Sequence, residues 1–243
     1  MTRQIRLSGL GMLIVFAVGM AMSGSASAHE FFVCREGGTE KYETSVCAKK
    51  IETGKFSFLP VEGTKTYAVE GTNNGVIKLE NAVTGNNPRA SFECKKSQFN
   101  GTIEKEGKSK DDTLILQECA LYLTQSHRRT RTSCVVPNIE TNPLKGELLT
   151  TTGSGPEDKL KAESGSTLFM ITINSCTFEG RYELTGEQSC SLPEGAVGKQ
   201  EHEIVCSPTG SSLVFVAFGA GPAKLIMDTT VKLAEVTAAW GAE

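Results

Sequence analysis

Tryptophan, tyrosine and histidine are scarce in this chain, with one tryptophan (Trp240), four tyrosines and three histidines beside eleven phenylalanines among 243 residues. So thin an aromatic content leaves few side chains for a sugar-stacking platform, and Trp240 reads as core packing in a terminal strand. Positive charge is not in excess, with 25 Lys and Arg against 28 Asp and Glu. That balance gives no electrostatic footprint for nucleic acid or an anionic membrane surface. There is no Gly-x-Ser-x-Gly elbow, no phosphate-cradling glycine loop opening a helix and no EF-hand series. No catalytic residue and no cofactor is therefore indicated.

One apolar run is present, at residues 10–22, between Arg3 and Arg6 on one side and Ala26-Ser27-Ala28 on the other. That order is the pattern of a secretory signal peptide, with cleavage expected before His29. The run is shorter than the roughly 20 residues of a membrane span. Phe31-Phe32-Val33 before Cys34 does not fit a lipobox, and neither Arg3 nor Arg6 has an arginine neighbour. The expectation is a free extracellular protein with no membrane span after cleavage. Removal of 1–28 takes away Arg3 and Arg6 and shifts the formal charge from −3 to −5.

Eight cysteines lie downstream: Cys34, Cys47, Cys94, Cys119, Cys134, Cys176, Cys190 and Cys206. An even number in an exported chain reads as a disulfide framework. Spacing suggests Cys34–Cys47, Cys119–Cys134, Cys176–Cys190 and, by remainder, Cys94–Cys206. Between turn signals such as Asn73-Asn74-Gly75, Asn100-Gly101, Thr185-Gly186 and Thr209-Gly210 lie short runs rich in β-branched residues. Strands are expected at 65–70, 76–79, 90–94, 113–118, 167–173, 181–185, 203–206, 213–218 and 223–233. In the last of these Ala223, Leu225, Met227, Thr229, Val231 and Leu233 alternate with polar residues, Ile226 excepted, which is the period of a half-buried strand.

Thr113-Leu-Ile-Leu-Gln-Glu-Cys119 resembles Met170-Ile-Thr-Ile-Asn-Ser-Cys176, and Ser133-Cys134-Val-Val-Pro137 resembles Ser189-Cys190-Ser-Leu-Pro193. Two related β halves follow as an expectation. The division is a signal peptide (1–28), a clipped N-terminal segment (29–62), a first half (63–149), a polar loop or linker (150–166) and a second half (167–243). The linker contains helix-start chemistry at 156–162. The fold class is all-β, an antiparallel β-sandwich or barrel-like domain.

The pattern Phe92-Glu-Cys94, Gly101-Thr-Ile103, Glu118-Cys119, Cys134 and Leu144-Lys-Gly-Glu-Leu148 resembles a large paralogous family of secreted actinobacterial proteins. Cys176-Thr-Phe-Glu-Gly-Arg-Tyr182, Thr185-Gly-Glu-Gln-Ser-Cys190, His202-Glu-Ile-Val-Cys206 and Trp240 extend the resemblance over most of the mature chain. It implies the disulfide-containing β architecture. It carries no assigned activity and hence no site residue.

His29, exposed as an N-terminal residue, would offer an amine and an imidazole to copper, with His202 or His127 as second ligand. His202-Glu-Ile-Val-Cys206 has Cys where the zinc-helix motif has its second His, and it reads as a strand. No metal site is expected. His127, Arg128, Arg129 and Arg131, with Lys95 and Lys96, read as a solvated basic loop. The leading expectation is a secreted non-enzymatic binding or structural module with an extracellular or cell-wall ligand, displayed partly by segments 126–131 and 150–166. The alternative is a secreted enzyme acting on polysaccharide, either a copper histidine-brace oxygenase or a hydrolase.

Overall fold

The fold is a computed structural model, and it describes residues 29–81, 89–149, 155–192, 199–207, 212–215 and 221–242. The expected signal peptide lies outside the described residues. Among them there are seventeen strands, no helix, and only antiparallel pairing between strands. The all-β class is as expected.

Strand pairing closes on itself twice. The first ring runs through β3 (Tyr67–Asn73), β5 (Arg89–Ile103), β6 (Lys108–Gln125), β9 (Leu144–Leu149), β10 (Glu157–Ala162), β13 (Glu187–Ser191), β14 (Glu201–Cys206) and β16 (Gly221–Leu233), which returns to β3. A second ring runs through β4 (Ile77–Asn81), the same β5 and β6, then β8 (Ile139–Thr141), β11 (Thr167–Ile173), β12 (Gly180–Thr185), β15 (Val214–Phe215) and back along β16 to β4. The long strands β5, β6 and β16 are shared, so the two rings are fused end to end. Both rings take strands from both halves of the chain. Closure leaves these strands without free edges, the usual protection of an antiparallel sheet against pairing with other chains.

At the junction the side chains change face. On β5 the buried positions include Ala90, Phe92 and Cys94, then Ser97, Gly101 and Ile103; on β6 they include Asp112, Leu114 and Leu116, then Leu121. Glu118, with φ of 55°, supplies the backbone irregularity that reverses the alternation. A hairpin extends β6 into β7 (Arg128–Arg131), its two turn residues Ser126 and His127 both at positive φ, as a type I′ turn requires.

A three-stranded sheet of β17 (Trp240–Ala242), β1 (Phe31–Glu36) and β2 (Phe56–Pro60) packs onto the first ring. Phe31, Val33 and Trp240 join Val69, Ile103, Leu148 and Leu233 in one core cluster. Trp240 is buried, so the packing role expected of it holds. The larger cluster contains Phe92, Leu121, Phe169, Ile171 and Leu184 together with Cys94, Cys190 and Cys206.

Four disulfides take up all eight cysteines: Cys34–Cys47, Cys94–Cys119, Cys134–Cys176 and Cys190–Cys206. Cys34–Cys47 agrees with the spacing argument. The other three pairings correct it, because strand register rather than nearness in sequence selects the partner. Cys94 stands directly opposite Cys119 on β5 and β6, and Cys190 opposite Cys206 on β13 and β14, the positions whose Cβ atoms lie within bridging reach. Cys134 meets Cys176 because Val135 bridges Asn174. This third link, not Cys94–Cys206, joins the two halves.

Three local expectations are also corrected. The polar stretch 150–166 carries β10 where helix-start chemistry and a loop were expected, since pairing with β9 and β13 on either side overrides local propensity; residues 150–154 lie outside the described residues. Arg128–Arg131 is a strand rather than a loop. Asn100-Gly101 is not a turn but sits inside β5 at a register shift. The resembling words around Cys134 and Cys190 also fold differently, the first outside any named strand and the second with Ser189–Ser191 in β13; Pro193 lies outside the described residues.

Candidate functional site

The most unusual chemistry is inside the first ring, where β6 and β10 each turn an aspartate inward. Asp112 continues the buried face of Leu114 and Leu116, and Asp158 lies on the face of Ala162. Both are buried, at 1% and 9% exposure. The Ser109 hydroxyl donates to Asp112 Oδ2, the Thr102 backbone N–H donates to the same carboxyl, and the Glu147 backbone N–H donates to Asp158. Asp112 Oδ1 and Asp158 Oδ1 have no hydrogen-bond partner among the described residues.

Two glycines make room for this pair. A Cβ at Gly101 would overlap Asp112 Oδ1, and one at Gly146 would overlap both Asp158 Oδ1 and Ser109 Oγ. Burial, reinforced by the nearby Asp158 charge, pushes the Asp112 carboxyl up to about 8. Burial pushes Asp158 up to about 7. At neutral pH Asp112 is therefore mostly protonated and Asp158 about half so, as carboxyls deprived of water and of cationic partners are.

Above the pair lies a cleft of about 400 Å³ whose floor includes Ser109 and Gly146 and whose rim carries Lys108, Lys110, Lys145 and Lys161 with Glu104, Glu147 and Glu163. Lys110 pairs with Glu104 at 2.5 Å, while Lys145 and Lys161 stand opposite each other across β9 and β10. Two convergent carboxyls are what a glycoside hydrolase requires. Here both lie beneath Ser109 and Gly146, so the cleft presents lysines and glutamates to a solute and keeps the acids under its floor.

The sequence singled out neither aspartate. A signal was nonetheless there: each sits at an inward position of a period-two run, Asp112-x-Leu114-x-Leu116 and Asp158-x-Leu160-x-Ala162.

The histidines are placed apart from this pair. His202 is buried on β14, its Nε2 bonded to the Trp240 carbonyl and its ring 4.7 Å from the Trp240 ring, edge-on. Burial lowers its pKa and keeps it neutral. His29 precedes β1, and His127 stands in the exposed β6–β7 turn. Among the described residues no group of three or more His, Cys, Asp or Glu is arranged to hold a metal. In the basic segment, Arg129 stacks on Tyr122 at 3.9 Å and pairs with Glu93, so it is committed to the sheet.

An ordered polar surface runs over the outer face of β14, β16, β3 and β5. Register sets Glu201, Lys232, Glu70 and Asn100 in one row across the four strands, and Glu203, Thr230, Thr72 and Gln98 in the next. Lys232 reaches Glu70 at 3.3 Å, and Thr230 donates to Asn74 Oδ1 at 2.8 Å. A groove of about 510 Å³ lies along this face, reaching Lys96 and Gln117. Amides, hydroxyls and paired charges held on rigid strands can exchange several hydrogen bonds at once with an extended polar ligand.

The chain matches no family model, no curated protein and no solved structure.

Proposed function

We propose that the protein is a secreted, non-enzymatic binding or structural module of the cell envelope or extracellular space. The observation that carries this reading is the ordered polar face of β14, β16, β3 and β5, fixed by two closed rings of strands. Four disulfides support an oxidising location, and no helix among the described residues is long and apolar enough to cross a membrane. The signal-peptide pattern at 1–28 and the resemblance to secreted actinobacterial proteins point the same way. The ligand is an extracellular or cell-wall polymer rich in hydroxyl and amide groups, bound by hydrogen bonds in the groove. The test is co-sedimentation of the mature protein with purified cell-wall polysaccharide, alongside N100A/Q98A. Retention lost in the double variant supports the reading; equal retention, or none by the native protein, overturns it.

A polysaccharide hydrolase is the alternative reading: Asp112 and Asp158 are two neighbouring carboxyls, but both lie under the cleft floor, which counts against it. It requires reducing-sugar release that D112N abolishes; release unchanged by that substitution removes it.

A further inference from the structure

Ring closure pairs the ring strands on both sides, whereas β7 pairs with β6 alone among the described residues. Its outer edge is open, and Arg128–Arg131 are exposed throughout. The hairpin register fixes what that edge presents. Gln125 and Arg128 flank the turn residues Ser126 and His127, so they form the hydrogen-bonded pair that closes the turn. Pairs alternate from there: Thr124 and Arg129 do not bond to each other, Leu123 and Thr130 do, and Tyr122 and Arg131 do not. The Thr132 N–H, bonded to the Leu121 carbonyl at 2.9 Å, continues the same alternation. Arg129 and Arg131 therefore each turn a backbone N–H and a C=O toward the open edge, and their side chains share one face of the strand.

Charge decides which strand such an edge accepts. Among the described residues the arginine ion pairs are made by Arg89 and Arg129, and Arg128 and Arg131 are in none. A second copy of β7 laid along the edge would set arginine opposite arginine, which like-charge repulsion opposes. The edge is thus guarded against self-association, as exposed edges are by charged side chains. A guest with carboxylates at alternate positions meets the opposite balance, because its acids fall beside Arg129 and Arg131 while its backbone bonds to theirs.

We propose that β7 is a docking edge for an extended acidic segment of a partner protein, which adds to the sheet as a further strand. Main-chain hydrogen bonds at Arg129 and Arg131 hold it, and the arginines select its charge. The polar groove contains no residue of β7, so this site is independent of that surface.

The probe is a blocked Glu-Thr-Glu-Thr-Glu peptide, titrated into the isotope-labelled mature protein with its disulfides intact. The expected result is saturable amide shifts centred on Arg129 and Arg131. Hydrogen exchange should slow at those two N–H groups and stay unchanged at Arg128 and Thr130, which are already bonded inside the hairpin. The same peptide N-methylated at its glutamates keeps every charge but loses the N–H groups that bond to β7, and should bind at least about tenfold more weakly. R131Q should weaken the unmodified peptide about fivefold, the scale of an exposed cross-strand ion pair, and R131E should favour Lys-Thr-Lys-Thr-Lys instead. If R131E fails to fold, the comparison of the two acidic peptides on the native protein still decides. Equal binding of the N-methylated peptide, unchanged affinity in R131Q, or the same protection produced by a single-stranded oligonucleotide overturns the inference, the last by showing a surface that answers to any polyanion.

Discussion

Replacing Asp112 by asparagine should stabilise the protein at neutral pH and flatten its dependence on pH. The carboxyl is held up to about 8 in the fold, against an ordinary value near 4 in the unfolded chain. A group raised in this way binds more protons folded than unfolded. Its contribution is fully present below about pH 4 and is lost as pH rises toward 8, at ~1.4 kcal/mol per pH unit for each carboxyl. Asp158, held up to about 7 by burial, acts in the same direction.

Between pH 5 and 7 the two together would remove roughly 5 kcal/mol from the native protein, and D112N, keeping only the Asp158 share, would lose roughly half of that. Asparagine keeps an acceptor for the Thr102 N–H and can donate to Ser109, so the local geometry survives. His202 works in the opposite sense. Burial lowers its pKa, so its neutral form favours the fold above about 6.5 and that contribution falls away at lower pH. The difference between native protein and D112N cancels that effect.

The assay is urea unfolding followed by Trp240 fluorescence at half-unit steps from pH 4 to 8.5, under non-reducing conditions. The expected curves converge near pH 4 and separate steadily above it, D112N being the more stable. Equal slopes for the two proteins, or a D112N variant less stable than the native protein at pH 7, would refute the reasoning.

G101A and G146A should each destabilise by about 1–3 kcal/mol in thermal unfolding, because the added methyl overlaps a carboxyl oxygen that cannot withdraw; G101A combined with D112S should recover part of the loss. Removing Cys134–Cys176 as a serine pair should destabilise by about 4 kcal/mol, against about 3 for Cys190–Cys206, following the 42- and 16-residue separations. Non-reducing peptide mapping should recover Cys94 joined to Cys119, and a Cys119–Cys134 peptide would contradict the ring register. Replacing Ser126-His127 with Asn-Gly should raise stability by about 0.5–1 kcal/mol, since both positions have positive φ and glycine and asparagine adopt it readily.

Local pattern carried part of this fold. The 223–233 alternation emerges as β16, with Ile226 left 39% exposed as the odd residue on the wet face. The 167–173 run coincides with β11. What depended on tertiary register was out of reach. Asn100-Gly101 carries the residues of a turn, yet Gly101 is needed because Asp112, from the neighbouring strand, occupies the space of its Cβ. The segment 156–162 has acids placed as at a helix start, and only its two flanking strands make it β10. Cysteine spacing favoured near neighbours, whereas β5 and β6 oppose Cys94 and Cys119 across 25 residues. The outer polar face had no motif because its rows are assembled from four strands whose order is β14, β16, β3, β5.

The measurement closest to the central claim is a backbone amide shift map of the mature protein with solubilised cell-wall polysaccharide. The account predicts perturbations clustered at Thr72, Gln98, Asn100, Glu201, Thr230 and Lys232. Perturbations centred on the lysine-rimmed cleft at Lys145 and Lys161, or scattered without a centre, would contradict it.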